Sequence, residues 1–171
     1  MSEEAEERRP QTADWVASWT TVALIVTSQF VERGDRPLVR AVGLAALALA
    51  VVFIFGPFFH LSRHGRVEGG KSYVHTTAVV DRGLYAIARH PQYLGYCFLV
   101  IGFALINQHP FTLALAVIGV VFFYLQMISE ERYLVKRMGA EYEAYMERVP
   151  RTNLIVGIYR YLRSKTGSES D

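Results

Sequence analysis

Two polar segments flank the last long apolar stretches of this chain, and their residue types are those of a binding site. The first is Arg89-His90-Pro91-Gln92-Tyr93-Leu94-Gly95, directly before one apolar run. The second is Glu130-Glu131, directly after the next, followed by Leu134, Gly139, Tyr142, Tyr145 and Val149-Pro150-Arg151. Cations and a helix start can hold a carboxylate, and aromatic faces can stabilise a cation. A histidine can exchange a proton near neutrality, and a glutamate can hold a hydroxyl or an amino group. Polar groups at the mouth of membrane helices are costly unless they are used. Together the segments describe a polar site at a membrane surface with apolar helices behind it, a setting that joins a polar cofactor to a greasy substrate.

Each of these residues also has a plainer reading. Tyr85, Arg89, His90 and Tyr93 could form an interfacial belt, since such side chains gather at membrane surfaces anyway. Glu130 and Glu131 could be a solvated pair; adjacent helical residues point about 100° apart, so at most one need face a site. His60 and His64 stand at i, i+4 but have no Cys or carboxylate partner to complete a metal site, so no metal is expected. Cys97 is single and lies within an apolar run, which argues against a disulfide and against a reactive thiol. Lys71 and His75 could touch a cofactor, though spacing says nothing further. There is no glycine-rich phosphate loop and no G-x-S-x-G elbow.

These residues need elements to hold them. The chain has 171 residues, 51% of them hydrophobic, gathered into four blocks: 15–31, 41–59, 93–108 and 111–128. About 20 apolar residues cross a bilayer, with a range of about 17–25. The second block meets this, the first and fourth are just long enough, and the third is short unless its neighbours or a thinned bilayer support it. A soluble bundle is disfavoured, because so short a chain cannot cover four fully apolar helices with polar surface. The expected fold is all-α and membrane-integral, with about four transmembrane helices, a C-terminal hairpin and a cytoplasmic amphipathic C-terminal helix.

The whole chain reads as one membrane domain. Residues 1–14 are a charged, mobile N-terminus, acidic where a signal peptide would be basic. Residues 15–61 hold two transmembrane helices, the first capped by Asp14 and the second kinked at Pro57. Residues 62–92 form a polar connector, 93–128 a transmembrane hairpin turning at Asn107-Gln108-His109-Pro110, and 129–163 surface helices. Pro91 suits the first turn of a helix, so the third helix starts there. Beyond Glu130 the apolar positions Tyr133, Leu134, Met138, Tyr142, Tyr145, Met146 and Val149 fall near helical spacing, which predicts an amphipathic helix on the membrane. The connector carries Arg63, Arg66, Lys71, Arg82 and Arg89, and the tail carries eight cations, so both are placed in the cytoplasm with the N-terminus. Arg33, Arg36 and Arg40 in the first turn argue the other way, offset in part by Glu32 and Asp35. The net charge of +2 is small and scattered near the ends of apolar runs, which suits lipid head groups and not nucleic acid.

With these residues in view, Arg89-His90-Pro91-Gln92-Tyr93-Leu94-Gly95, preceded by Gly83-Leu84-Tyr85, resembles the R-H-P-x-Y-x-G signature of the isoprenylcysteine carboxyl methyltransferase and phospholipid methyltransferase families. The later Glu130-Glu131…Leu134…Gly139-Ala140-Glu141-Tyr142…Tyr145…Val149-Pro150-Arg151 is similar to those families' E-E-x-x-L…F-G-x-x-Y-x-x-Y…V-P-R ending, with Met138 in place of the usual Phe. The resemblance covers about residues 76–152. It implies a multi-pass membrane methyltransferase that uses S-adenosyl-L-methionine in a cytoplasmic pocket and receives a lipophilic or lipidated acceptor from the bilayer. By the motif, Tyr85, His90, Pro91, Gln92 and Tyr93 would line the cofactor pocket. Glu130 would contact the cofactor, with Glu131 the second choice. Thr77, Ala78, Val79 and Val80 would pass along the adenosine by their backbone. Gln126 stands where the prenylcysteine enzymes carry an Arg for the substrate carboxylate, a departure that weakens the case for that acceptor while leaving methyl transfer standing. A carboxylate acceptor needs no base; for an amine or thiol, His90 is the nearby group that titrates near neutrality.

Two other function classes compete. A membrane reductase using NADPH would share a C-terminal hairpin and an R-H-x-N-Y-x-G-like motif with the sterol reductases, but Gln92 stands in the Asn slot, and the Glu pair and small size favour the transferase. A non-catalytic membrane protein could keep the fold and bind neither cofactor.

Overall fold

The computed structural model describes residues 12–64 and 81–167, with side chains over 12–57 and 81–163. Among the described residues there are helices and turns and no strand. The elements are α1 (Thr12–Thr27), α2 (Pro37–His64), a 3₁₀ turn (Gly83–Ala86), α3 (Pro91–Asn107), α4 (Pro110–Met138), α5 (Ala140–Arg148) and α6 (Leu154–Gly167).

Proline opens α2, α3 and α4, where its missing N–H breaks no helical bond. The α3–α4 turn is tight because Gln108 closes α3 in the left-handed region (φ 52°) and the His109 ring accepts from the Phe111 N–H at the head of α4. The same turn is tied to the α1–α2 turn. Gly34 N–H donates to the Asn107 carbonyl at 2.9 Å, and the Gln108 amide bonds both backbone groups of Arg36 at 3.2 and 2.9 Å.

Helices α3 and α4 form the centre, with α2 packed on α3 and α1 packed on α4. The α2–α3 contact is antiparallel and close. A Cβ on Gly102 would press on Leu47 and the Gly43 carbonyl, and one on Gly95 would press on the Ile54 and Phe53 backbone. Small residues at such crossings are how apolar helices associate where lipid gives no hydrophobic drive. The other face of α2 shows Leu38, Val42, Leu44, Leu49, Val51, Val52 and Phe55 exposed. Between α1, α3 and α4 the core consists of Ala17, Leu24, Cys97, Val100, Ala104, Ala116, Phe123 and Met127.

Among the described residues two helices, Pro37–Pro57 within α2 and Pro110–Met138, are long and apolar enough to cross a membrane, and Pro91–Asn107 is a shorter apolar helix. Four expectations are corrected. The first helix stops at Thr27, not residue 31, because Thr27 and Ser28 turn their hydroxyls back onto the Ala23 and Ile25 carbonyls and the backbone tightens into turns. Asp14 lies inside its first turn and is not its cap. The second helix continues past residue 61 to His64, through Pro57.

The fourth correction concerns 130–149. This stretch is two helices, broken at Gly139, whose φ of 57° and ψ of −133° is a conformation that residues with a Cβ rarely adopt. After the break α5 folds back, and Tyr142, Tyr145 and Val149 bury against Leu134, Val135, Met138 and Met146. Of the apolar positions expected to face lipid, Leu134, Met138, Tyr142, Tyr145, Met146 and Val149 therefore face one another.

Candidate functional site

The start of α3 is held from three directions. The Leu84 side chain packs where a Cβ on Gly56 of α2 would fall. Arg89 N–H donates to the Pro150 carbonyl at 3.1 Å, and the Tyr145 hydroxyl donates to the Tyr85 carbonyl at 2.7 Å. His90 then caps the helix by backbone only, its carbonyl accepting from Leu94 N–H.

Facing this start is Glu131, which lies four residues beyond Met127 and eight beyond Phe123 on the buried face of α4 and is only 3% exposed. Its carboxylate accepts from Arg89 Nη2 at 3.0 Å, from Arg151 Nε at 3.0 Å to each oxygen, and from Arg151 Nη2 as well. His90 Nε2 stands 3.3 Å from the same carboxylate. Arg151 also donates to the Tyr124 hydroxyl at 2.9 Å and lies against that ring, 5.3 Å from its centre. A buried carboxylate is tolerable only with close cations, and here two guanidiniums meet it. Arg89 Nε is buried and has no hydrogen-bond partner among the described residues.

From His90 an aromatic row leads away from the ions. His90 and Tyr93 meet edge-on at 5.8 Å, Tyr93 and Tyr96 edge-on at 6.4 Å, and Tyr96 stacks on Phe123 at 5.3 Å. The row borders a cleft of about 370 Å³ lined by Asp14, Ser18 and Thr21 of α1, by Tyr93, Tyr96 and Leu99 of α3, and by Phe123 and Gln126 of α4. Among the described residues the lining carries one carboxylate, Asp14, and no cation. On the other side of α3's start, burial pushes the Tyr85 phenol up to about 12, helped by the charge of Glu130. Burial also raises the Tyr142 and Tyr145 phenols.

The structure thus brings together His90, Pro91, Tyr93 and, through the aromatic row, Gln126, which is buried at the cleft wall. Gln92 is exposed and donates its amide to the Tyr96 hydroxyl at 3.0 Å. Tyr85 sits beside the α3 start with its carbonyl bound. Glu130 is half-buried, charge-coupled to Tyr85 and Tyr142, while Glu131 takes the centre of the ion cluster. Thr77, Ala78, Val79 and Val80, together with Lys71 and His75, lie outside the described residues, as do the side chains of His60 and His64. Sequence reasoning gave Arg151 no role. The available signal was electrostatic: a glutamate carried to the buried face of α4 requires a cation, and Arg151 ends the second motif.

The helices and site define a class: a protein helical among its described residues, with membrane-length apolar helices and a buried ion cluster where they end. The family model described as phospholipid methyltransferase matches residues 38–141. The chain belongs to that family, the one that joins the phospholipid and isoprenylcysteine methyltransferases. It is similar to "Protein-S-isoprenylcysteine O-methyltransferase" of Schizosaccharomyces pombe, 32% identical over 100 residues, or 53% of this chain and 42% of that protein. It is similar also to "Protein-S-isoprenylcysteine O-methyltransferase B" of Arabidopsis thaliana, 31% identical over 93 residues, or 49% of this chain and 47% of that protein. The Saccharomyces cerevisiae "Protein-S-isoprenylcysteine O-methyltransferase" is 35% identical over 72 residues, or 42% of this chain and 30% of that protein. The chain spans less than half the length of each of these relatives.

Proposed function

We propose that this chain is a membrane-embedded methyltransferase that takes its methyl group from S-adenosyl-L-methionine and delivers it to a lipophilic or lipidated acceptor in the cleft between α1, α3 and α4. The observation that carries this reading is the aromatic row His90–Tyr93–Tyr96–Phe123, which runs from the ion cluster to the amphiphilic cleft. It joins a place for a polar cofactor to a place for an apolar acceptor.

The residues fit the cofactor by chemistry. Arg89 Nε is a buried donor that a carboxylate would satisfy. Tyr85 and Tyr93 offer aromatic faces suited to a cation or a flat ring, and His90, Pro91 and Gln92 complete the wall, with Glu130 at its edge and Thr77, Ala78, Val79 and Val80 assigned to the adenosine. Glu131 acts as a positioning residue: it fixes Arg89, His90 and Arg151 relative to one another. When bound, the cofactor supplies an electrophilic methyl group on a sulfonium, so the protein's part is alignment and exclusion of water. With Nε2–H donated to Glu131, His90 keeps Nδ1 as a proton acceptor for an amine or thiol acceptor group. Gln126 gives the buried wall of the cleft a neutral polar group, which suits an uncharged acceptor group.

Four helices crossing the bilayer as one domain follow from the same reading. The α1 helix, 16 residues and about 24 Å long at 1.5 Å per residue, lies in a locally thinned membrane. The N-terminus, the connector and the C-terminal helices share the cytoplasmic side with the cofactor.

Calorimetric titration of the detergent-purified protein with S-adenosylhomocysteine, and separately with NADPH, tests this. Saturable binding of the first alone is expected. Binding of NADPH alone would replace the reading with a reductase.

A further inference from the structure

The last helix, α6, turns its large apolar side chains outward. Ile155 is 83% exposed, Tyr159 63%, Leu162 58% and Ile158 45%. Their positions, i, i+3, i+4 and i+7, place them in one stripe about 100° wide at 100° per residue. The opposite face is the one that touches protein: a Cβ on Gly157 would collide with the Ile87 backbone, and Leu154 and Tyr161 are only partly exposed. The helix sequence holds Arg160, Arg163 and Lys165 and no acid. Arg160 is engaged, donating to the Glu147 and Arg148 carbonyls that end α5 at 2.8 and 3.2 Å. Arg163 is exposed and borders the apolar stripe.

The level of α6 in the fold matters as much as its pattern. It packs on Ile87, four residues before the first residue of α3, at the end where the apolar helices α3 and α4 meet their polar segments. An apolar stripe bordered by the exposed Arg163, on a helix that carries no acid, matches a negatively charged bilayer surface, with apolar side chains entering between head groups and the guanidinium meeting phosphate. We propose that α6 docks flat on an anionic lipid surface, and that this bound helix backs the run Ile87–His90 leading into the site. The inference concerns a lipid contact and does not depend on methyl transfer.

The test uses the full chain in nanodiscs, either of phosphatidylcholine or of phosphatidylcholine mixed with phosphatidylglycerol. A Cys97→Ala background removes the native thiol, and Ile158→Cys carries a nitroxide. A second label at Val117, on the exposed face of α4, reports insertion independently. Expected is a several-fold fall in collision with a water-soluble nickel chelate, and a rise in collision with oxygen, only where phosphatidylglycerol is present. Arg163→Glu should reverse both. A label at 158 that stays chelate-accessible in both lipids, while Val117 stays protected, overturns the proposal. Equal burial in both lipids, indifferent to Arg163→Glu, overturns the anionic preference. Loss of chelate access without gain of oxygen access marks a protein partner and overturns the lipid assignment.

Discussion

The ion cluster and the cleft share α3 and α4 within two helical turns, yet they are built on opposite terms. In the cluster every charge answers another: Glu131 meets Arg89, Arg151 and His90 with its carboxylate almost fully enclosed. In the cleft, tyrosines, a glutamine, small hydroxyl residues and apolar side chains account for most of the described lining around about 370 Å³ of open space. The first arrangement fixes geometry, because a buried ion network tolerates few alternatives. The second leaves room and a choice of weak polar contacts, as small-molecule sites do. The positioning part of this protein is charged and closed, and the selecting part is aromatic and open.

Removing the centre of the cluster breaks that contrast most severely. Glu131→Ala leaves two guanidiniums facing each other without an anion, and should lower stability by about 3–5 kcal/mol. Thermal unfolding in detergent should show it, together with loss of S-adenosylhomocysteine affinity; an unchanged midpoint would remove the cluster's structural role. Gln126→Leu probes the other half. Stability and cofactor affinity should stay near those of the parent, while affinity for the acceptor changes about tenfold, or about 1.4 kcal/mol; equal losses for both ligands would merge the two regions into one. A smaller effect belongs to the brace behind the cluster. Tyr145→Phe deletes the bond to the Tyr85 carbonyl at a cost of about 1 kcal/mol, measured by denaturation in mixed micelles.

The smallest effect at neutral pH concerns Tyr85 itself. Its phenol is raised from 10.0 to about 12, so the folded state holds its proton longer than the unfolded state does. The resulting stability is fully present below pH 10 and is lost as pH rises toward about 12. Tyr85→Phe should flatten that alkaline decline and leave neutral stability little changed; an identical decline in the variant would assign it to other groups.

What the sequence could disclose depended on how locally each feature is encoded. The start of α3 was legible because Pro91 fixes its own φ and restricts His90, two constraints that act within one peptide unit. The α3–α4 turn was legible for the same reason at Pro110. The choice between Glu130 and Glu131 was not. Helix α4 is apolar on all sides, so its composition gives no phase; the phase comes from α1 and α3 closing on the row Ala116, Gly119, Phe123 and Met127, which carries Glu131 inward. The break at Gly139 was hidden because one glycine within a periodic run reads as tolerated. Only the packing of Tyr142 and Tyr145 back onto Leu134 and Met138 shows why the chain turns there. Arg151 belonged to the second motif by sequence, but its role needed the fold to bring α4 and the α5–α6 junction together.

Helix α1 carries both tryptophans of the chain, Trp15 and Trp19, each more than half exposed, beside Asp14 and Ser18 at the rim of the cleft. The tryptophan fluorescence of the protein, excited selectively over its ten tyrosines, is therefore the emission of this one helix. Acyl chains brominated at graded depths would locate the two indoles in the bilayer by quenching, and an acceptor entering beside Asp14 would register as a change in the same signal, with no label attached.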